Sequence, residues 1–192
     1  EVIKNIIQPT ISGMNRLDSP FTGFLYAGLM IDKQDALPYV LEFNTRMGDP
    51  ECQSLMVRMD SDLYPYIEAG IDKRLHAMPP IRWKAQSSVC VVMASKGYPG
   101  KYRNGQEIFG LPSRAIEDVA IFHAGTKKEL PNRIVTAGGR VLCVAATGQN
   151  LDAARKKAYA TIRRIRWGHE EEHYRRDIGK RPGRMSKKEG FA

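Results

Sequence analysis

Leu41-Glu42-Phe43-Asn44-Thr45-Arg46-Met47-Gly48-Asp49-Pro50-Glu51-Cys52-Gln53 sets a two-residue alternation of apolar and polar side chains directly against a tight turn. Alternation of that period predicts a strand over 39–44, with Leu41 and Phe43 on one face and Glu42 and Asn44 on the other. Gly48-Asp49-Pro50 follows, placing an N-cap residue immediately before a proline suited to a first helical turn. Leu55, Met56, Met59 and Leu63 then recur at helical spacing, so the stretch reads as strand, turn and helix start.

Upstream, Phe24 to Ile31 has strand composition, and the polar Asp32-Lys33-Gln34-Asp35 run between the two strands predicts a hairpin. Val2, Ile3, Ile6, Ile7 and Ile11 mark a helix over residues 1–16, broken by Asp18-Ser19-Pro20. Downstream, Ser61 to Gly70 predicts a second short helix, or a continuation kinked at Pro65, closed by Gly70. Met78-Pro79-Pro80 stops regular structure and marks a boundary. Beyond it, Val89–Ser95 and Val119–His123 are strand candidates, and 134–147 reads as a hairpin turning near Gly138-Gly139. Leu151, Ala154, Ala158, Ile162 and Ile165 predict an amphipathic helix capped by Asn150 that covers one face of the sheet. The expected architecture is α+β: a first domain over 1–84, a small antiparallel β-rich domain with a covering helix over 85–180, and a basic tail over 181–192.

The chain has 192 residues, of which 42% are hydrophobic, enough to build a core. No apolar run is long enough to cross a bilayer. The opening Glu-Val-Ile-Lys is no secretory leader, and its lack of Met suggests a fragment. Three widely spaced cysteines, Cys52, Cys90 and Cys143, support neither a disulfide framework nor a zinc knuckle, and fit a reducing cytoplasm. The net charge is +9, but residues 163–192 alone hold ten Lys or Arg against five acids, so the excess lies toward the C-terminus. That reads as a solvated end more readily than as a nucleic-acid surface.

Glu42 and Asn44 offer two hard oxygen ligands on one strand face, a set suited to magnesium completed by ligand phosphates. The same pair also fits a solvent-facing edge of an amphipathic strand. Arg46 follows on that side if the strand extends so far, and its guanidinium suits a phosphate or carboxylate; the plainer alternative is an ion pair with Glu51. The helix start attracts anions, although Asp49 as its cap would already hold those amides. In the second half, the loop from Lys96 to Gly105 holds three glycines, two tyrosines and three basic residues, a composition able to lie over a phosphorylated or purine ligand or simply to connect two elements. His123 can act as a base or be structural, and no catalytic triad can be assembled from spacing.

Taken in order, Tyr26-Ala27-Gly28-Leu29-Met30, Leu41-Glu42-Phe43-Asn44, Arg46, Gly48-Asp49-Pro50-Glu51 and Gln53 resemble the glycinamide ribonucleotide synthetase (phosphoribosylamine-glycine ligase) family of ATP-grasp ligases. Gly97-Tyr98-Pro99-Gly100, Gly105, Ile108, His123-Ala124-Gly125-Thr126, Thr136-Ala137-Gly138-Gly139-Arg140-Val141-Leu142, Ala158-Tyr159 and Tyr174-Arg175-Arg176-Asp177-Ile178-Gly179 extend the resemblance to about residue 180. It implies the C-terminal part of an ATP-grasp domain followed by a small β-rich domain. It implies Glu42 and Asn44 as ligands of magnesium (or manganese) beside ATP, Arg46 as the catalytic cation, and Arg46 with Asp49 on the substrate side. The implied partners are ATP, glycine and 5-phosphoribosylamine, joined through an acyl phosphate to give glycinamide ribonucleotide, ADP and phosphate. The family's N-terminal portion and its glycine-rich phosphate loop have no counterpart here, so the chain by itself is expected to be inactive. Met47 stands where the family commonly has Phe, and Thr45 where Cys is frequent. Two other readings stay open: another ATP-grasp carboxylate-amine ligase, and a basic binding module without catalysis.

Overall fold

The computed structural model describes residues 1–129, 132–169 and 171–180. The chain divides into two compact units: Glu1–Asp49 with Asp60–Arg82, and Pro50–Met59 with the described residues from Trp83 onward.

In the first unit a π-helical stretch, Ile3–Ile7, runs into α1, Gln8–Arg16. The expected helix forms, and it ends before Asp18, whose φ of 53° turns the chain away. Two antiparallel strands follow, β1 (Tyr26–Ile31) and β2 (Pro38–Asn44), as the alternating stretches required. Their tight connection is held by Asp32, whose carboxylate accepts from the Gln34 amide at 2.6 Å, and by the Asp32 amide donating to the Leu37 carbonyl at 3.1 Å.

The helix started by the Gly-Asp-Pro turn, α2 (Glu51–Arg58), belongs to the second unit. Its N-cap position is taken by Pro50, one residue after the Asp49 that the sequence offered for that place. A separate helix, α3 (Tyr64–Ile71), forms in the first unit with Pro65 in its opening turn. Gly70 does not end it. Lys73 takes the left-handed position at φ 60°, its amide donating to the Gly70 carbonyl at 3.2 Å while the Arg74 amide donates to the Ala69 carbonyl at 2.7 Å, a Schellman closure three residues beyond the glycine. A short 3-10 turn, Leu75–Ala77, precedes the proline pair.

The second unit is built on β3 (Ser87–Ser95), which pairs antiparallel with a long partner at 140–148. Between them come β4 (Ile108–Phe109), β5 (Val119–His123), β6 (Thr126–Glu129) and β7 (Arg133–Thr136), then the partner itself, β8 (Arg140–Gly148). The chain continues through α4 (Leu151–Ile162), β9 (Arg166–Trp167) and β10 (Glu172–His173). The main sheet has the order β10-β3-β8-β5, and β4 pairs with β9 separately. The hairpin expected over 134–147 is not formed. β7 pairs with β6, while β8 turns away at Gly138-Gly139 to run between β3 and β5. A turn signal marks where the chain reverses and leaves the partner of each arm open.

Val89, Val91 and Met93 of β3 face Ala146, Val144 and Leu142 of β8, and α4 closes that side with Ala154, Ala158 and Ile162. Ile165 and Trp167 complete this core, with Trp167 fully buried. Asn150 caps α4 as expected, its side-chain oxygen accepting from the Ala153 amide at 2.9 Å. The opposite face carries Ser88, Cys90 and Val92, and α2 lies there: the Ser54 and Ser88 hydroxyls are 2.7 Å apart, and Ser88 Oγ donates to the Ser54 carbonyl at 3.1 Å. Thus the second unit has helices on both faces of its sheet. The expected tail, 181–192, lies outside the described residues.

Candidate metal and phosphate site

Glu42 and Asn44 lie near the end of β2, paired with Gly28 and Tyr26 of β1. The register shifts between Gly28 and Leu29, leaving Leu41 as an extra residue on β2, so the simple alternation does not run through the whole strand. Beyond this bulge Glu42 and Asn44 keep their two-residue spacing and therefore their common face. Gly28 is what leaves room there: a Cβ on it would stand 3.0 Å from Glu42 Cγ. Glu42 is exposed and Asn44 half-buried, and among the described residues no hydrogen bond or ion pair occupies either side chain. Two free hard oxygens on a fixed backbone suit magnesium with most of its shell left to phosphate and water. No cluster of three His, Cys, Asp or Glu occurs among the described residues.

Arg46 lies past the end of β2, so the strand does not carry it onto the same face; its Nη1 donates to the Met47 carbonyl at 2.9 Å. The guanidinium is exposed, and this one bond leaves other donors free for an anion. Asp49 is exposed at the end of the same segment.

In the second unit, residues 96–103 form a loop pinned at its base. The Ser95 amide donates to the Gly139 carbonyl at 2.8 Å, the Lys96 amide to the Glu171 carbonyl at 2.7 Å, and the Tyr98 amide to the Ser95 carbonyl at 3.1 Å. A Cβ on Gly139 would overlap the Tyr98 ring, which also meets Tyr102 edge-to-face at 6.1 Å between centroids. Tyr98 thus packs on Gly139 and Tyr102 while staying partly exposed. Lys96, Lys101, Tyr102, Arg103 and Glu171 line a cavity of about 370 Å³. Glu171 could not be found from the loop's own spacing, because it arrives from the approach to β10. His123 is exposed, with Nδ1 3.1 Å from Thr126 Oγ1, an arrangement that joins β5 to β6.

The run Arg175–Ile178 is held by two side chains of α4. Tyr159 donates its hydroxyl to the Arg175 carbonyl at 2.6 Å and accepts from the Ile178 amide at 3.2 Å. Arg155 lies 4.8 Å over the Tyr159 ring, and its guanidinium donates to the carbonyls of Ile178 at 3.1 Å and Arg176 at 2.8 Å. Burial pushes the Tyr159 phenol above its ordinary pKa, so it remains a donor. Ala158-Tyr159 and Tyr174–Gly179 were legible as motifs, but not as one clamp.

Residues 1–52 match the profile of the phosphoribosylglycinamide synthetase ATP-grasp (A) domain, and 88–181 that of the phosphoribosylglycinamide synthetase C domain. A phosphoribosylamine–glycine ligase of Vibrio vulnificus (strain CMCP6) is 47% identical over 180 residues, covering 94% of this chain and 41% of the relative. One from Escherichia coli O157:H7 is 48% identical over 177 residues, covering 92% and 40%. The chain thus spans about two fifths of the length of these relatives. The crystal structure of phosphoribosylamine–glycine ligase from Thermotoga maritima superimposes with a TM-score of 0.77 at 34% identity, over 91% of this chain and 41% of that one. A biotin carboxylase from Campylobacter jejuni shares the fold alone, with a TM-score of 0.55 at 14% identity over 92% and 38% of the two chains.

Proposed function

The chain belongs to the phosphoribosylglycinamide synthetase family, and from that membership we propose that it is the C-terminal part of an ATP-dependent carbon–nitrogen ligase that joins glycine to 5-phosphoribosylamine. The observation that carries this reading is the Glu42–Asn44 pair: two side-chain oxygens on one strand face, given room by Gly28, within the segment that matches the ATP-grasp profile. The 1–84 and 85–180 domains and the 181–192 tail remain our reading of the chain's organisation.

In the proposed reaction a glycine carboxylate oxygen attacks the γ-phosphorus of ATP, and the bond to the bridging oxygen breaks to release ADP. The amine of phosphoribosylamine then attacks the acyl carbon. Phosphate leaves with the carbon–oxygen bond's electrons, and the nitrogen gives up a proton. Glu42 and Asn44 would hold magnesium or manganese, which when bound neutralises phosphate charge. Arg46, exchanging its bond to the Met47 carbonyl for a phosphoryl oxygen, stabilises the charge that spreads over the transferring group. Asp49 lies on the substrate side, able to accept from an ammonium or hydroxyl. The compartment that fits this chemistry and the cysteine usage is the cytoplasm; no helix among the described residues is long and apolar enough to cross a membrane.

The test is Glu42→Gln in the longer protein that contains this chain. The substitution keeps shape and removes the charged ligand, so kcat for glycinamide ribonucleotide is expected to fall by about a hundredfold or more, a loss of several kcal/mol in transition-state stabilisation. Thermal stability should be unchanged, because the Glu42 carboxylate is exposed and makes no hydrogen bond or ion pair among the described residues. Wild-type turnover at saturating magnesium would remove the assignment.

A further inference from the structure

The cavity lined by Lys96, Lys101, Arg103 and Glu171 carries three cations against one carboxylate, a surplus of two positive charges. Glu171 already faces Arg103, with Oε1 3.5 Å from Nη1, while Lys96 and Lys101 have no ion pair among the described residues. Like charges gathered around one hollow repel one another, and among the described residues only Arg103 has a carboxylate to offset its charge. We propose that this hollow receives a phosphate monoester dianion, and that the phosphate it takes is the 5-phosphate of the ribosyl substrate. The first clause stands on the second unit alone; the second rests on the ligase reading.

The loop is built to hold these groups in place. Gly97 sits at φ +98°, and a Cβ there would overlap the Lys101 carbonyl, so the chain folds tightly back and brings Lys101 toward Lys96. A Cβ on Gly100 would stand 3.2 Å from the Gly97 carbonyl oxygen, which shows how closely the turn is wound. At its base Ser95 is buried, and its hydroxyl donates to the Gly138 carbonyl at 3.2 Å. The Lys96 amide ties the loop to the chain segment that supplies Glu171. The backbone that carries the three cations is therefore fixed in the free chain, and a ligand has only their exposed side chains to order. Arg103 supplies a planar fork able to bridge two phosphate oxygens, and the lysines supply point charges for the rest. A volume of about 370 Å³ suits a phosphorylated pentose.

The test titrates the full 192-residue chain with ribose 5-phosphate, ATP, inorganic phosphate and ribose, at constant ionic strength, by calorimetry and by amide shifts of Gly97 and Gly100. Ribose 5-phosphate should bind saturably and more tightly than inorganic phosphate or ATP, and ribose should not bind. Lys101→Gln with Arg103→Gln should weaken ribose 5-phosphate by about tenfold or more, while Lys156→Gln with Arg163→Gln, equal in charge removed, should not. Glu171→Gln should tighten it, an opposite sign that a merely structural role would not give. Absence of saturable binding, a preference for ATP, or equal loss in both double variants overturns the proposal. In the longer protein, Lys101→Gln with Arg103→Gln should raise KM for phosphoribosylamine by about tenfold with KM for ATP unchanged. A rise in KM for ATP instead overturns the ribosyl assignment. If the longer wild-type protein makes no glycinamide ribonucleotide, the ligase reading falls while the titration still decides the phosphate site.

Discussion

Gly28 governs where the Glu42 carboxylate can lie, because a side chain on Gly28 would enter the space beside Glu42 Cγ. Gly28→Val adds a Cβ and two methyl groups at that contact while favouring the strand. In the longer protein the magnesium concentration for half-maximal activity is expected to rise by about tenfold, with little change in melting temperature. Unchanged magnesium dependence would show that Glu42 does not need the clearance. At this scale the sequence was informative wherever one residue's chemistry and a fixed spacing were enough. Glu42 and Asn44 share a face because they lie two residues apart, and Asn150 caps α4 because its side chain reaches the amide three positions on. It misled where a neighbour decided. Pro50 takes the N-cap position next to Asp49, and Lys73, not Gly70, adopts the left-handed conformation that ends α3.

Between elements, Asp118 braces three segments of the second unit. It lies just before β5 at φ 60°, its carboxylate accepting from Lys157 Nζ of α4 at 2.6 Å, from Thr147 Oγ1 of β8 at 3.2 Å and from Gln86 Nε2 at 3.5 Å. The hydrogen bond from Lys157, more than any other influence, holds its pKa below the ordinary carboxylate value. A carboxylate lowered in the folded state binds its proton less readily than in the unfolded chain. Its stabilisation is therefore fully present above the unfolded value and is lost as pH falls through the lowered one. Asp118→Asn should lower the urea midpoint at pH 7, and the gap to wild type should close as the pH is brought below the ordinary carboxylate range of about 4. A gap that stays constant with pH would mean that the charge contributes nothing. No part of this brace was readable beforehand, since Gln86, Asp118, Thr147 and Lys157 have no common spacing. The pairing of β7 with β6 was hidden for a related reason: strand composition sets the existence of an edge, whereas its partner follows from packing over the whole unit.

Across the whole chain, burial is divided very unequally between the two units. Of the buried apolar side chains among the described residues, only Ile6 and Ala69 belong to the first unit; the second holds the rest, from Val89 to Trp167. On β1 and β2 the apolar side chains of Met30, Ile31, Val40, Leu41 and Phe43 are all exposed, Leu41 to 64%. α3 adds Ile67 and Ile71 to a groove of about 450 Å³ that also takes in Phe24 and Tyr66. A two-stranded hairpin with both faces wet is marginal on its own, so its order depends on further covering structure. The relatives supply a length of chain that this one does not span, with 41% of the Vibrio enzyme matched. The 192-residue chain alone is therefore expected to show slow amide exchange in β3 and β8, fast exchange in β1 and β2, and binding of an apolar dye. It should form no glycinamide ribonucleotide from ATP, glycine and freshly generated phosphoribosylamine, because the proposed metal pair Glu42 and Asn44 needs an adenine pocket and phosphate-cradling amides beside it, and the sequence offers no glycine-rich strand-to-helix element before Glu42 to supply them. Adding the N-terminal portion of a relative as a separate chain should slow exchange in β1 and β2 while leaving β3 and β8 as they were. Protected β1 and β2 amides in the chain alone, or turnover without the added portion, would show that the first unit is complete in itself and that the metal edge works without the rest of the grasp.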